Sequence, residues 1–554
     1  MPIGHGRAGR GPVPPGTRTM PTRLSRDVPE IAAAAPHSAP GAVAPAEGIA
    51  RAGGELTNLQ LLRALAASLV LVHHVAVYGQ TLRGAGRPFA ALDGLMGVWG
   101  VAIFFALSGF LMARLVTRDP PLVFLAHRVS RIFPTYLAVV ALFAALFAAL
   151  RLEFGGLSVL ALSLAPGGPR SSPLNVEWTL VLEVTFYVGL FLLALAGQAR
   201  RLVPVAAGWL VLLAVAFPLL PPDSRNMMPP PLYLVPVTAA CVPFAGGLLL
   251  PRLIAAGWVR PPAALLILPF AAVCFFVDTA AARWLGGIAA VLLVGAAVTA
   301  TPIRREGRTA RGLIALGDWS YVLYLAHPPV LMLANWACPP HWNGAAYAAV
   351  SLAGALAVAA LLGPLDVALY RRLRARLDGA RPAALSRGVS AFLVVFTACA
   401  LWGSSETARN DWAEYRAKGA IAALPPDAFA SPASAGTAIA ARGLALPDTL
   451  LARVESLEPL GADEILVGAY AFDPAKPGRG MQLALFCGGR LVAVERPRRL
   501  RRDLTGQPGF AGMGQRRIGY RVRVPAGACG AGPLVPVAID ESGRMAVLTL
   551  PSGG

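Results

Sequence analysis

Arg63 and His74 stand eleven residues apart in the run NLQLLRALAASLVLVHHVAVYG. On a helix that spacing returns to within roughly 20° of the same face about three turns on, while His73 falls roughly 80° off it. An imidazole titrates where it can take a proton from an alcohol near neutral pH. A guanidinium three turns away would orient it or hold a carboxylate. The bland alternative makes Arg63 an interfacial charge and the histidines interface residues. In FLAHRVSRIFPTY, Arg128 and Arg131 are placed i, i+3 on one helical face, where two guanidiniums can clamp phosphates or serve only as topology-setting charge. NVEWTLVLEVTFYVG carries Glu177 and Trp178 at its start and Glu183 deeper, with Phe186 and Tyr187 one turn on. A carboxylate at that depth needs a partner such as Arg or His, for function or as a structural ion pair.

In LGDWSYVLYLAHPPVLML, Tyr321, Tyr324 and His327 repeat at i, i+3, i+6, beside Ser320. Pro328 and Pro329 follow, and are expected to break the helix and open a cavity there. Ser108 and Gly109 in FFALSGFLMAR read either as site residues or as small residues that let helices approach.

The elements that hold these groups are membrane helices. Of 554 residues, 56% are hydrophobic and only 14% charged, with mean hydropathy +0.59. A soluble chain carries about 25% charged residues. Apolar runs recur near 59–78, 95–115, 132–150, 179–197, 203–220, 231–250, 261–277, 284–303, 312–336, 344–369 and 388–403. Runs of about 20 apolar residues span a bilayer, and in lipid they must be helical. The expected fold is thus an all-α bundle of 10–11 spanning helices. The net charge of +20 lies in short clusters between these runs. That is the signature of positive-inside loops and excludes a nucleic-acid partner. The six cysteines include no CxxC pair, so no metal centre is indicated.

With the N-terminus cytoplasmic, the inside loops hold eighteen arginines and the outside loops six, which puts the C-terminal region outside. Residues 1–55, rich in Pro, Gly, Ala and Arg, read as a disordered cytoplasmic tail. The bundle covers 56–378, a last span lies in 379–404, and 405–460 reads as a linker. From residue 461 the segments EILVGAYAF, MQLALF, RLVAVERP, GYRVRVP, PLVPVAI and MAVLTL alternate between turn signals. They predict a small extracytoplasmic β-sandwich over 461–554, in which Cys487 and Cys529 pair as a disulfide.

Taken in order, these fragments resemble the acyltransferase type 3 family of multi-pass membrane acyltransferases. The resemblance covers about residues 56–375. It rests on Arg63 with His74; Ser108-Gly109-Phe110; Arg128-x-x-Arg131 with Pro134; Glu177-Trp178 through Glu183 and Phe186-Tyr187; and Gly317 with Ser320-Tyr321, Tyr324-Leu325 and His327-Pro328. It implies O-acylation, commonly O-acetylation, of a polysaccharide or lipopolysaccharide at a bacterial inner membrane. His74 then matches the essential histidine, Arg63 its partner, and Arg128 and Arg131 the coenzyme-binding arginines. The donor is acyl-CoA, acetyl-CoA in the first instance, and the acceptor a carbohydrate; no tightly bound cofactor is implied. Glu183 is the expected carboxylate partner; Ser108, Gly109, Glu177, Trp178, Tyr187, Ser320, Tyr321, Tyr324 and His327 are expected to bind substrate or support the site. The rival reading, a secondary transporter with a buried Arg/His/Glu pathway, would favour matching broken helices in two halves; none stand out.

Overall fold

The computed structural model describes residues 55–551, apart from residues 85–88, 93, 304–305, 340, 426, 461–463, 478–479, 498, 505–506, 511–516 and 531. The stretch read as an N-terminal tail lies outside the described residues except for Glu55. Most helices are apolar on every face, as segments solvated partly by protein and partly by lipid must be. In chain order they are α1 (Glu55–Arg83), α2 (Leu95–Arg118), α3 (Pro121–Ala149), α4 (Glu177–Leu195), α5 (Leu202–Leu219), α6 (Val242–Ala255) and α7 (Ile267–Val273). They continue with α8 (Thr279–Thr299), α9 (Arg308–Ala337), α10 (Gly344–Asp378), α11 (Pro382–Ala422) and α12 (Pro432–Ala441).

Among the described residues, eight helices are long and apolar enough to cross a membrane: α1 to α5, α8, α10 and α11. The chain is a multi-pass membrane protein. Helix α9 has 30 residues, and its stretch Val322–Leu331 is buried throughout. It is the central element, packed against α1 and α10. The runs at 231–250 and 261–277 do not form long spans; they fold as α6 and α7 with flanking 3-10 turns. Pro231, Pro236, Pro243, Pro261, Pro262 and Pro269 remove the amide donors a long helix would need there.

Two further expectations about proline are corrected. The helix expected to begin near residue 132 begins at Pro121, in the first turn where proline is tolerated, and Pro134 lies inside it. Arg128 and Arg131 therefore belong to the spanning helix itself rather than to a segment before it. Likewise α9 continues through Pro328 and Pro329 without a break, because packed neighbours can satisfy the carbonyls that proline frees. At the α2–α6 crossing, a Cβ on Gly109 would lie 2.2 Å from the Phe244 carbonyl oxygen, and one on Gly247 2.4 Å from that of Ala106. Only glycine allows this backbone approach.

The stretch read as a linker holds the C-terminal part of α11, then α12 and the strand β1 (Leu451–Leu460). The other strands are β2 (Glu464–Phe472), β3 (Gln482–Cys487), β4 (Arg490–Glu495), β5 (Arg499–Leu500), β6 (Arg517–Pro525), β7 (Leu534–Ile539) and β8 (Met545–Val547). They form two four-stranded antiparallel sheets, ordered β1-β2-β6-β5 and β4-β3-β7-β8. Val454, Val467 and Val522 from the first meet Leu483, Leu485 and Ala538 from the second in one core. A register shift between Val454 and Ser456 interrupts the alternation of β1, which is why its sequence does not read as a strand. Cys487 and Cys529 are disulfide-bonded.

The β-domain is fixed to one end of the bundle by α11. Ser404 donates to the Pro166 carbonyl and accepts from the Leu232 amide, and Thr407 donates to the Gly167 carbonyl. Farther along α11, Asp411 accepts from Tyr233 of the bundle and from Arg496 of the β-domain at 3.1 Å each.

Candidate active site

Two cavities lie along the axis of the bundle. The first, about 170 Å³, is lined by Arg63, Ser108, Arg128, Arg131, Glu183, Tyr187, Ser320, Tyr321 and Tyr324 together with apolar side chains. The second, about 180 Å³, is lined by His73, His74, Trp178, Thr279 and Arg283 among others. Val101, Phe105 and Tyr324 line both, so these three residues form a waist between the chambers. The second chamber lies toward the β-domain: Tyr78, one turn past His74, accepts from Asn175 at 3.3 Å, in the loop that carries Pro166 and Gly167.

Helix α1 supplies one group to each chamber. Arg63 lines the first and His74 the second, separated by about 16 Å of helix rise. At that separation the two side chains do not touch. Instead His74 Nδ1 lies 2.9 Å from the Val70 carbonyl. A carbonyl only accepts, so the proton sits on Nδ1, and Nε2 is left as an acceptor. His327, on α9, makes the same arrangement with Leu323 at 3.1 Å, and its buried Nε2 has no partner among the described residues. The two rings meet edge to face with centroids 4.8 Å apart. His73 accepts from the Gly94 amide at 3.1 Å, and a Cβ on Gly97 would come within 2.6 Å of its ring.

In the first chamber the charged groups sort into used and available. Glu183 accepts from the Tyr187 hydroxyl, and from Ser108 Oγ at 3.3 Å; Ser108 and Tyr187 are themselves 3.1 Å apart. No arginine reaches Glu183 within ion-pair distance among the described residues. Arg131 Nη1 donates to both carboxylate oxygens of Asp366 at 3.0 and 2.9 Å, and Thr135 donates to the same carboxylate at 2.6 Å. The Arg131 guanidinium also lies between the rings of Tyr321 and Tyr370, at 4.8 and 5.2 Å. Its charge is thus already matched within the protein. Arg128 donates to Tyr370 at 3.3 Å, and its buried Nε has no partner among the described residues. Arg63 forms no ion pair with a described residue. The available cationic groups of this chamber are therefore Arg63 and Arg128.

Other expected site residues hold backbone. Glu177, 2% exposed, accepts from the amides of Leu174 and Val176 at 2.7 and 3.0 Å. It ties down the turn in which Asn175 adopts φ 65°. Tyr321 donates to the Ile132 carbonyl at 2.8 Å. Tyr324 shares a 2.6 Å hydrogen bond with Thr179 and reaches the Val176 carbonyl at 3.1 Å. Ser320 Oγ is buried without a partner among the described residues. Gly109 lies at the α2–α6 crossing and Trp178 in the second chamber.

Asp366, Thr135, Tyr370, Thr179 and Arg283 were not anticipated. Asp366 carried a signal: it is a carboxylate within the apolar run LLGPLDVAL, where an ionisable group is costly without a purpose. Asp366 and Tyr370 also lie past the end of the stretch matched by the family below. No curated protein and no solved structure gives a significant match to the chain. The family described as an acyltransferase domain, acyltransferase type 3, matches residues 56–363. That is more than half of the sequence and includes the arginines, carboxylate and histidines of both chambers, so the chain belongs to this family of acyltransferases.

Proposed function

We propose that the protein moves an acyl group, acetyl in the first instance, from cytoplasmic acyl-CoA to a hydroxyl of an exported or cell-surface glycan. The observation that carries this reading is the pair of neighbouring chambers that share Val101, Phe105 and Tyr324 as lining, with unmatched arginines in one and histidines in the other. Arg128 and Arg63 hold the phosphate-bearing end of the donor. The thioester arm extends through the waist toward His74. The bias of arginine toward one set of loops supports a cytoplasmic first chamber and an external β-domain.

In the second chamber His74 Nε2 takes the proton of the acceptor hydroxyl as that oxygen attacks the thioester carbonyl. The new C–O bond forms as the C–S bond breaks. The departing sulfur takes the proton back from His74, leaving an ester and a free thiol. Tyr187 and Ser108 hold Glu183 in place at the first chamber, and Asp366 holds Arg131 there.

Sealed membrane vesicles of known orientation test this reading. Acetyl-CoA labelled in the acetyl group should label glycan only when supplied to the face bearing the arginine-rich loops. Labelling from the β-domain face, or none from either, refutes it.

A further inference from the structure

Arg283 lies in the second turn of α8 and lines the histidine chamber. Its Nη1 donates to Asn226 at 3.2 Å, and its guanidinium lies 5.6 Å from the centre of the Trp178 ring. No carboxylate comes within ion-pair distance of it among the described residues. Asp278, the acid nearest in sequence, is engaged elsewhere: it accepts from the amides of Ala280 and Ala281 at 2.8 and 3.0 Å and so caps α8. A guanidinium offers five N–H donors, and most of Arg283's are free of protein partners. Arg131 in the other chamber shows the contrast, since Asp366 matches its charge. The positive-inside bias concentrates arginine at the cytoplasmic ends of membrane helices, so on the topology proposed above it gives no reason for a cation here.

Trp178 adds a second feature. Its ring, overlain on one side by Arg283, also lines the chamber, so a sugar that bears an acid can pack against the indole while its charge pairs with Arg283. His74 lines the same chamber. We propose that the acceptor is an acidic glycan, and that Arg283 binds a carboxylate or phosphate on, or adjoining, the sugar whose hydroxyl His74 serves. This rests on the acyl-transfer reading above and narrows its acceptor.

The test uses a strain lacking the chain, complemented with the full-length wild type, Arg283→Gln or Arg283→Lys at matched membrane levels. Glycan-bound esters are then mapped by mass spectrometry. The wild-type ester should sit on a sugar that bears, or neighbours one that bears, a carboxylate or phosphate. Arg283→Gln should lower ester content at least about tenfold, as expected for loss of a charge-assisted contact, and Arg283→Lys should recover part of it. An ester on a glycan with no acid at or beside that sugar overturns the proposal, and so does an unaffected Gln variant. If the ester lies on a neutral glycan and the Gln variant still loses it, Arg283 serves another anion, such as a lipid phosphate, and the acidic-acceptor assignment is wrong. No ester difference between wild type and empty vector would instead sink the acyl-transfer reading itself.

Discussion

The imidazoles of His74 and His327 meet edge to face with their centroids 4.8 Å apart. Each is anchored through Nδ1 to the carbonyl four residues earlier in its own helix, so each keeps Nε2 as an acceptor. When His74 takes a proton, the unpaired acceptor of His327 is the adjacent group available to stabilise the cation. His327→Phe keeps an aromatic ring and removes that acceptor. It should lower kcat about 10–100-fold, less than the roughly 10²–10⁴-fold of losing the base itself, while KM for acetyl-CoA stays unchanged. His327→Gln should recover part of the rate. Equal losses in both variants, together with reduced thermal stability, would make His327 a packing residue only.

The two arginines of the first chamber should separate in their effects. Arg128→Ala should raise KM for acetyl-CoA with little loss of stability, because its guanidinium has no acidic partner among the described residues. Arg131 is held by Asp366 and Thr135, so Arg131→Ala leaves a buried carboxylate unmatched. Removing one member of a buried pair costs about 3–5 kcal/mol. Arg131→Ala and Asp366→Ala should therefore both lower the melting temperature of the purified protein. Thermal unfolding with donor titrations on the three variants decides this, and a donor-affinity loss in Arg131→Ala without destabilisation would contradict it.

The Cys487–Cys529 bridge closes a segment of 42 residues. A loop of that length corresponds to about 4 kcal/mol of stabilisation. Cys529→Ser should make the β-domain of the full-length protein sensitive to protease at markedly lower urea concentration. Unchanged resistance would mean that the two-sheet core alone sustains the domain.

Asp540 gives the same domain an acid-sensitive point. Burial raises its pKa, but hydrogen bonds from Ser542 and from the Arg544 guanidinium and amide outweigh this and hold it below the ordinary aspartate value. A folded pKa below the unfolded one gives stability that is complete above the ordinary aspartate pKa of about 3.9. That stability is lost as pH falls through the folded value. Asp540→Asn should weaken the domain at neutral pH and flatten its loss of stability below about pH 4. Protease resistance measured across pH in both proteins checks the sign.

The sequence revealed the groups of both chambers better than their pairings. Arg63 and His74 do share a helix, but they serve chambers on either side of a waist, and periodicity carries no information about where a cavity narrows. The Arg128/Arg131 spacing was legible. That Asp366 neutralises one of the two was not, because the partner lies 235 residues away on α10. The six strands with clean alternation were readable. Strand β1 was hidden by its bulge, and α6 and α7 by prolines that break an otherwise span-like composition.

The central claim is that His74, not His73, performs the proton transfer. Membranes carrying wild type, His74→Ala or His73→Ala at equal levels should be given acetyl-labelled acetyl-CoA, and label in the glycan fraction counted over time. The account predicts that His74→Ala loses about 10²–10⁴-fold in rate, while His73→Ala, whose ring accepts from the Gly94 amide, keeps measurable turnover. Near-wild-type labelling by His74→Ala would contradict it.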